Sequence, residues 1–210
     1  MRGLLRVGSN ESAALTGLDA FLSGLQQSWP GMKIELSVDV GSLLRSRLEA
    51  GGLDFALLTD PSSHPHIRNV LLGQSELCWV AATGLVKSRK ALSPRDLAQL
   101  PLVTVPAPSS LHTAITSWFA GARLSPPHLN TCNSLAIMLR LVAAGVAIAI
   151  LPPSIFRREL AEGVVERLNV SRPVAPLPVY ASYPLIGGAG AFDGITEMAR
   201  DALFRGGMIA

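Results

Sequence analysis

Two spacings of apolar residues take turns along this chain. Leu4–Gly8 reads as a short strand and Ser9-Asn10-Glu11-Ser12 as a polar turn. From Ala13 to Gln27, Ala14, Leu15, Leu18, Phe21, Leu22 and Leu25 recur at helical spacing, which predicts one helix stopped by Trp29-Pro30-Gly31. Ile34, Leu36 and Val38 then alternate with Glu35, Ser37 and Asp39, the period of a strand. Gly41-Ser42 opens a helix to about Ala50, Gly51-Gly52 ends it, and Leu53–Leu58 is the next strand. Strand, helix, strand, helix, strand is a parallel α/β unit with right-handed crossovers.

The second half repeats the alternation. Val70–Leu72 and Glu76–Ala82 read as strands, Leu92–Leu97 as a helix start, Pro101–Val105 as a strand and Leu111–Ala120 as a helix. His128–Thr131 is a short strand leading into the best-marked stretch, Thr131–Pro153. There Asn133 or Ser134 can cap a helix carrying Leu135, Met138, Leu139 and Val142 at helical spacing, and Gly145 tolerates a left-handed end. Val146–Leu151 is an unbroken apolar run suited to a strand covered on both faces, closed by Pro152-Pro153. A helix near Ser154–Ala161, strands at Val164–Leu168 and Leu177–Ser182, and a helix started by Asp193 as cap complete the order. Gly187-Gly188-Ala189-Gly190 lacks dinucleotide-loop spacing and reads as a turn.

Three pieces resemble the effector-binding domain of LysR-type transcriptional regulators. One is the helix, Gly145 and apolar strand ending in Pro152, with Ala147 where that family usually has a second glycine. Another is P-G-M-K-I-E-L at Pro30–Leu36, and the third is L-E-A-G-G-L-D-F-A-L at Leu48–Leu57. The resemblance extends over essentially the whole chain. It implies an α/β, two-lobed, type 2 periplasmic-binding-protein-like fold, each lobe a mostly parallel sheet flanked by helices. The lobes would be residues 1–80 with 182–210, and residues 81–181. It further implies a small-molecule effector held between the lobes, and contact with DNA only through an N-terminal helix-turn-helix domain absent from these residues. Antiparallel pairing into a homodimer, or a tetramer at full length, also follows from it.

Composition narrows the classes. With 49% hydrophobic and 16% charged residues, the 210-residue chain is not a disordered one. No apolar stretch is long enough for a signal peptide or a membrane span, so a cytoplasmic protein without membrane contact is expected. The net charge is +3, but Arg45/Arg47, Lys87/Arg89/Lys90 and Arg157/Arg158 are scattered clusters and form no nucleic-acid stripe. Cys78 and Cys132 lie far apart in or beside apolar segments, as buried free thiols do. His64 and His66 flank a proline with nothing placed to complete a metal site. No nucleophile elbow, phosphate loop, zinc-protease or C-x-x-C motif is present, so neither an enzyme nor a cofactor or metal is expected.

The polar residues left over stand at strand-to-helix turns: Ser9, Asn10, Ser42, Ser109, Ser110, Asn133 and Ser134. In open α/β sheets ligands bind beyond the carboxyl ends of the strands, where helix starts offer N–H groups and partial positive charge. These seven are the candidate ligand-binding residues, although helix capping alone also selects such residues. Glu11 beside the first turn opposes a bare anion and points to a ligand with an amine or hydroxyl. A freestanding solute-binding protein is the alternative with the same fold. For assembly, the surplus apolar residues of the Ala13–Gln27 and Ser134–Ala144 helices offer an outward face, with Leu18 or Leu22 as the outward residue of the first.

Overall fold

A computed structural model describes residues 3–88, 90–185, 190 and 192–210. Arg89 of the basic cluster and Gly187-Gly188-Ala189 of the glycine turn lie outside the described residues. The chain divides into two compact units, Met1–Ser75 with Leu177–Ala210, and Glu76–Pro176.

In the first unit, strands β1 (Gly3–Ser9), β2 (Met32–Val38), β3 (Phe55–Leu58) and β4 (Ile67–Ser75) join β10 (Leu177–Pro184) in the order β2-β1-β3-β10-β4. β1 is parallel to both β2 and β3, while β10 runs against β3 and β4. In the second unit β6 (Leu102–Thr104) is parallel to β7 (Leu129–Thr131), and β5 (Cys78–Ala82) runs against β8 (Ala149–Leu151) and β9 (Val165–Arg167). A parallel bridge between Leu102 and Ile148 joins the two pieces, with Ile148 N donating to Pro101 O at 2.9 Å. The resulting order, β7-β6-β8-β5-β9, repeats that of the first unit with one strand reversed in the same place. The sheets are therefore mixed, with parallel strands on the side that carries the polar turns. Pairing also sets the division of the chain: β5 pairs wholly within the second unit and β10 within the first, so it falls at Ser75/Glu76 and Pro176/Leu177.

The helices are α1 (Glu11–Thr16), α2 (Leu18–Ser28), α3 (Gly41–Glu49), α4 (Pro94–Leu97), α5 (Ser110–Ala120), α6 (Leu135–Ala143), α7 (Arg157–Ala161) and α8 (Asp193–Arg205). The single helix expected over Ala13–Gln27 is two. Gly17 breaks it, because a Cβ there would stand 2.8 Å from the Ala202 carbonyl oxygen at the end of α8. The strand expected from Val146 begins only at Ala149. Gly145 takes φ +71° and Val146 N donates back to Leu141 O, so both residues finish α6. Asp193 is the first residue of α8 and not its cap, which falls on Phe192 with no side-chain bond. Leu18 is 5% exposed in the core, so it does not face outward, and Leu22 packs partly buried against the same core.

Each unit has its own core. In the first, Phe21, Phe55, Tyr183 and Phe192 form an aromatic group under α2 and α8, with the Phe55 and Tyr183 rings stacked at 6.1 Å. On the opposite face, Leu44 and Leu48 of α3 pack on Leu53, Ala56 and Leu58. In the second, Trp79, Trp118 and Phe119 meet edge to face, and Trp118 Nε1 donates to the Arg172 carbonyl at 3.2 Å. Burying each such large side chain stabilises by about 1.5–3 kcal/mol.

Candidate functional site

Parallel pairing brings the polar turns together within each unit. β1 and β2 end side by side: Ser9 pairs with Val38, and Asp39 N donates to Ser9 O at 3.2 Å. This gathers Ser9, Asn10 and Ser42 at one end of the first unit. β6 and β7 do the same in the second, where Thr104 pairs with Thr131 and Cys132 N donates to Thr104 O at 2.9 Å. Ser109, Ser110, Asn133 and Ser134 follow those strands.

Local bonding separates the seven candidates. Asn10 caps α1, its Oδ1 accepting from Ala13 N at 2.9 Å. Ser109 caps α5 through Leu111 N at 3.3 Å, and Ser134 caps α6 through Ile137 N at 3.4 Å. Ser110 is the first residue of α5, and Asn133 is exposed just before the α6 cap. Ser9 is fully buried and donates its hydroxyl to the Asn10 carbonyl at 3.0 Å.

Ser42 differs. Its helix, α3, starts after Val40, which has no side chain able to cap, and no side-chain bond closes that start. Among the described residues, the N–H groups of Gly41 and Ser42 and the Ser42 hydroxyl have no protein partner. A Cβ built on Gly41 would meet nothing within 4 Å, so the start is open to an approaching group. Of α1, α3, α5 and α6, the helices leaving parallel strand ends, α3 is the one without a side-chain cap. Unpaired N–H groups and the helix dipole together make such a start a binding place for a carboxylate or another acceptor.

One carboxylate stands beside this start, and a second, Glu11, follows the end of the neighbouring strand β1. Asp39 accepts from Val40 N at 2.8 Å, immediately before α3, and Glu11 lies in the first turn of α1. Asp60 is engaged by Arg45 of α3. In the middle of β1, Arg6 grips Asp54 with Nε at 3.1 Å and one terminal guanidinium nitrogen at 2.7 Å, and its backbone N–H adds a third bond at 2.8 Å. Burial pushes the Asp54 carboxyl up, but the bonds and charge of Arg6 outweigh it, so Asp54 lies below the usual carboxylate range. In the second unit burial pushes the Cys78 thiol up to about 11, while it donates weakly to the Leu151 carbonyl. Among the described residues no cluster of three or more metal-ligating side chains occurs, and no helix is long and apolar enough to cross a membrane.

Gly41, Asp39, Thr104 and Cys132 also stand at these strand ends, and sequence reasoning did not count them among the candidates. Their only signal was position, directly at or after the ends of two neighbouring parallel strands.

Two α/β units, each with parallel strands leading into polar turns, define the periplasmic-binding-protein-like fold. A family model described as the LysR substrate binding domain matches residues 1–185, and the chain belongs to that family. It is 26% identical over 71% of its length to the transcriptional regulator TtuA of Agrobacterium vitis, and 24% identical over 72% to CzcR of Bacillus cereus. It spans about half the length of these curated relatives, both named as HTH-type transcriptional regulators. Among solved structures, a mutant of Corynebacterium glutamicum OxyR matches 98% of the chain and 65% of its own, with TM-score 0.80 and 23% identity. The BenM effector-binding domain with its effector benzoate matches 99% of this chain and 95% of its own, with TM-score 0.78 and 21% identity. The chain is thus a ligand-binding regulatory domain of the LysR type.

Proposed function

We propose that the domain senses a small organic acid or amino-acid-like metabolite at its strand-to-helix turns and passes occupancy to a DNA-binding segment of a longer cytoplasmic regulator. The observation that carries this reading is the uncapped start of α3, with the unpartnered N–H groups of Gly41 and Ser42 beside the Ser42 hydroxyl. A carboxylate there gains about 0.3–1 kcal/mol per interaction from the helix end. Asp39 and Glu11 oppose a bare anion, which favours an effector pairing its carboxylate with an amine or hydroxyl. The benzoate of the similar BenM domain supports a carboxylate. Regulators as the named relatives support coupling to DNA.

The reading includes a homodimer. Leu15 on α1 and Ile137 on α6 are 48% and 47% exposed, and burying such residues against a second copy accounts for them.

Thermal melting with a panel of monocarboxylates, dicarboxylates and amino acids tests the sensor reading. A true effector at 100 times its Kd adds about 2.7 kcal/mol. A panel without any shift counts against it.

A further inference from the structure

We propose that Met208–Ala210 form a releasable clasp, which occupies the outer edge of β4 and keeps a second copy of this chain from pairing there. The clasp lies wholly within the first unit and is independent of the effector reading.

β4 ends the five-stranded sheet, with β10 on one side. A strand in that place carries a row of N–H and C=O groups that can template pairing with another chain. Gln74 faces Pro178 across the β4–β10 ladder, and Pro178 has no N–H to offer. Gln74 turns its own pair the other way. Its N–H donates to Ala210 O at 3.4 Å, and its carbonyl accepts from Ala210 N at 3.1 Å. Ala210 therefore sits where the next strand would. Three residues back, the Leu71 carbonyl accepts from Arg200 Nη2 of α8 at 3.4 Å. Main-chain groups of β4 are thus engaged at two places by α8 or the residues that follow it.

The route of the tail explains a glycine. After α8 the chain turns at Gly207, φ +65°, and Met208 N donates to Leu203 O at 2.9 Å. Met208 and Ile209 are 2% and 5% exposed and join the core that holds Leu72 and Val179. The tail crosses Gly73 so closely that a Cβ there would stand 2.9 Å from both Ala210 O and Ile209 Cβ. Glycine weakens a strand interior and marks a place where another backbone comes close. Two apolar side chains and the two main-chain bonds to Gln74 hold the tail down, and among the described residues no side-chain hydrogen bond or ion pair adds to them. So few contacts open at lower cost than the sheet itself. Once open, β4 offers its edge and the exposed Leu71 to the β4 of a second copy, antiparallel about a two-fold axis.

Full-length Gly73→Val and Ile209→Asp test the clasp. Valine suits a strand but takes the space of Ile209 and Ala210, and aspartate removes the apolar anchor. In a variant that keeps the wild-type circular dichroism, the Ala210 and Gln74 amides are expected to exchange about tenfold or more faster. Light scattering of that variant is expected to give about twice the wild-type mass at the same micromolar concentration. Adding Leu71→Lys to it is expected to restore the wild-type mass, because a lysine on an edge strand opposes pairing. Faster exchange with an unchanged mass overturns the proposal, and so does a raised mass that Leu71→Lys leaves in place. Wild-type exchange in both single variants overturns it too. Loss of the native circular dichroism in both does the same, because the tail is then part of the core and not a clasp.

Discussion

Asp39 donates its backbone N–H to the carbonyl of Ser9, 3.2 Å away, and this bond fastens the end of β2 to the end of β1. Because of it the β2–α3 turn stands beside the fully buried Ser9, and the open start of α3 joins the turn that Asn10 caps. A slip of β2 by one residue would reverse every side chain along it and carry the turn away from Ser9.

Gly17 is where the first helical stretch breaks, with no room for a Cβ against the Ala202 carbonyl. Gly17→Ala is expected to lower stability by about 1–3 kcal/mol in urea unfolding. Gly24, inside α2, would place a Cβ no closer than 3.8 Å to Met198 Sδ. Gly24→Ala is expected to raise stability by about 0.5–1 kcal/mol. Equal effects at the two sites would contradict the close approach of α1 and α8.

The Arg6–Asp54 pair sets a pH dependence. Arg6 holds the Asp54 carboxyl below its usual range, so the pair contributes stability above the unfolded carboxylate value of about 4. That contribution is lost as pH falls through the lowered native value. Asp54→Asn is expected to cost about 1 kcal/mol at pH 7, discounted for the partial exposure of both side chains, and progressively less below about pH 4. Urea melts of both proteins across that window check it; an undiminished difference at low pH would refute the assignment.

Cys78 is expected to be a slow nucleophile. With its thiol pushed up to about 11 by burial, about one molecule in a thousand carries the thiolate at pH 8. Iodoacetamide labelling of the folded Cys132→Ser protein at pH 8 is expected to be far slower than labelling of the same protein in denaturant. Comparable rates would contradict the raised thiol of the half-buried Cys78.

Assembly is tested at Leu15. Light scattering at micromolar concentration is expected to give a dimer for the wild-type domain and a soluble monomer for Leu15→Glu, because a two-fold axis brings each charge into the interface twice. A wild-type monomer at that concentration removes the dimer.

Much of this fold was legible in the sequence because its signals are local. The Pro30–Leu36 and Leu48–Leu57 stretches carry their own stops and periods, and β2, the end of α3 and β3 appear there in order. What was hidden depends on partners distant in sequence. Gly17 looks like any helical glycine until the end of α8 is packed against it. Val146 continues an apolar run, yet its N–H is taken by the turn that ends α6. At the candidate site the residue types pointed to the turns, but three of the seven, Asn10, Ser109 and Ser134, are occupied in capping their own helices. The opening at α3 arises from Val40, an apolar residue in the cap position, and a search for polar side chains passes over it.

The most direct test of the α3 site is calorimetric titration of Ser42→Glu against wild type with whichever panel compound stabilises the wild-type domain. A carboxylate built into the first turn of α3, which has no acidic residue of its own, interacts favourably with the helix dipole and occupies the place assigned to the effector. Because Asp39 opposes a second carboxylate there, the account predicts little net change in stability without ligand and no binding heat with it. A variant that binds the compound with wild-type affinity would contradict the assignment of the α3 start as the effector site.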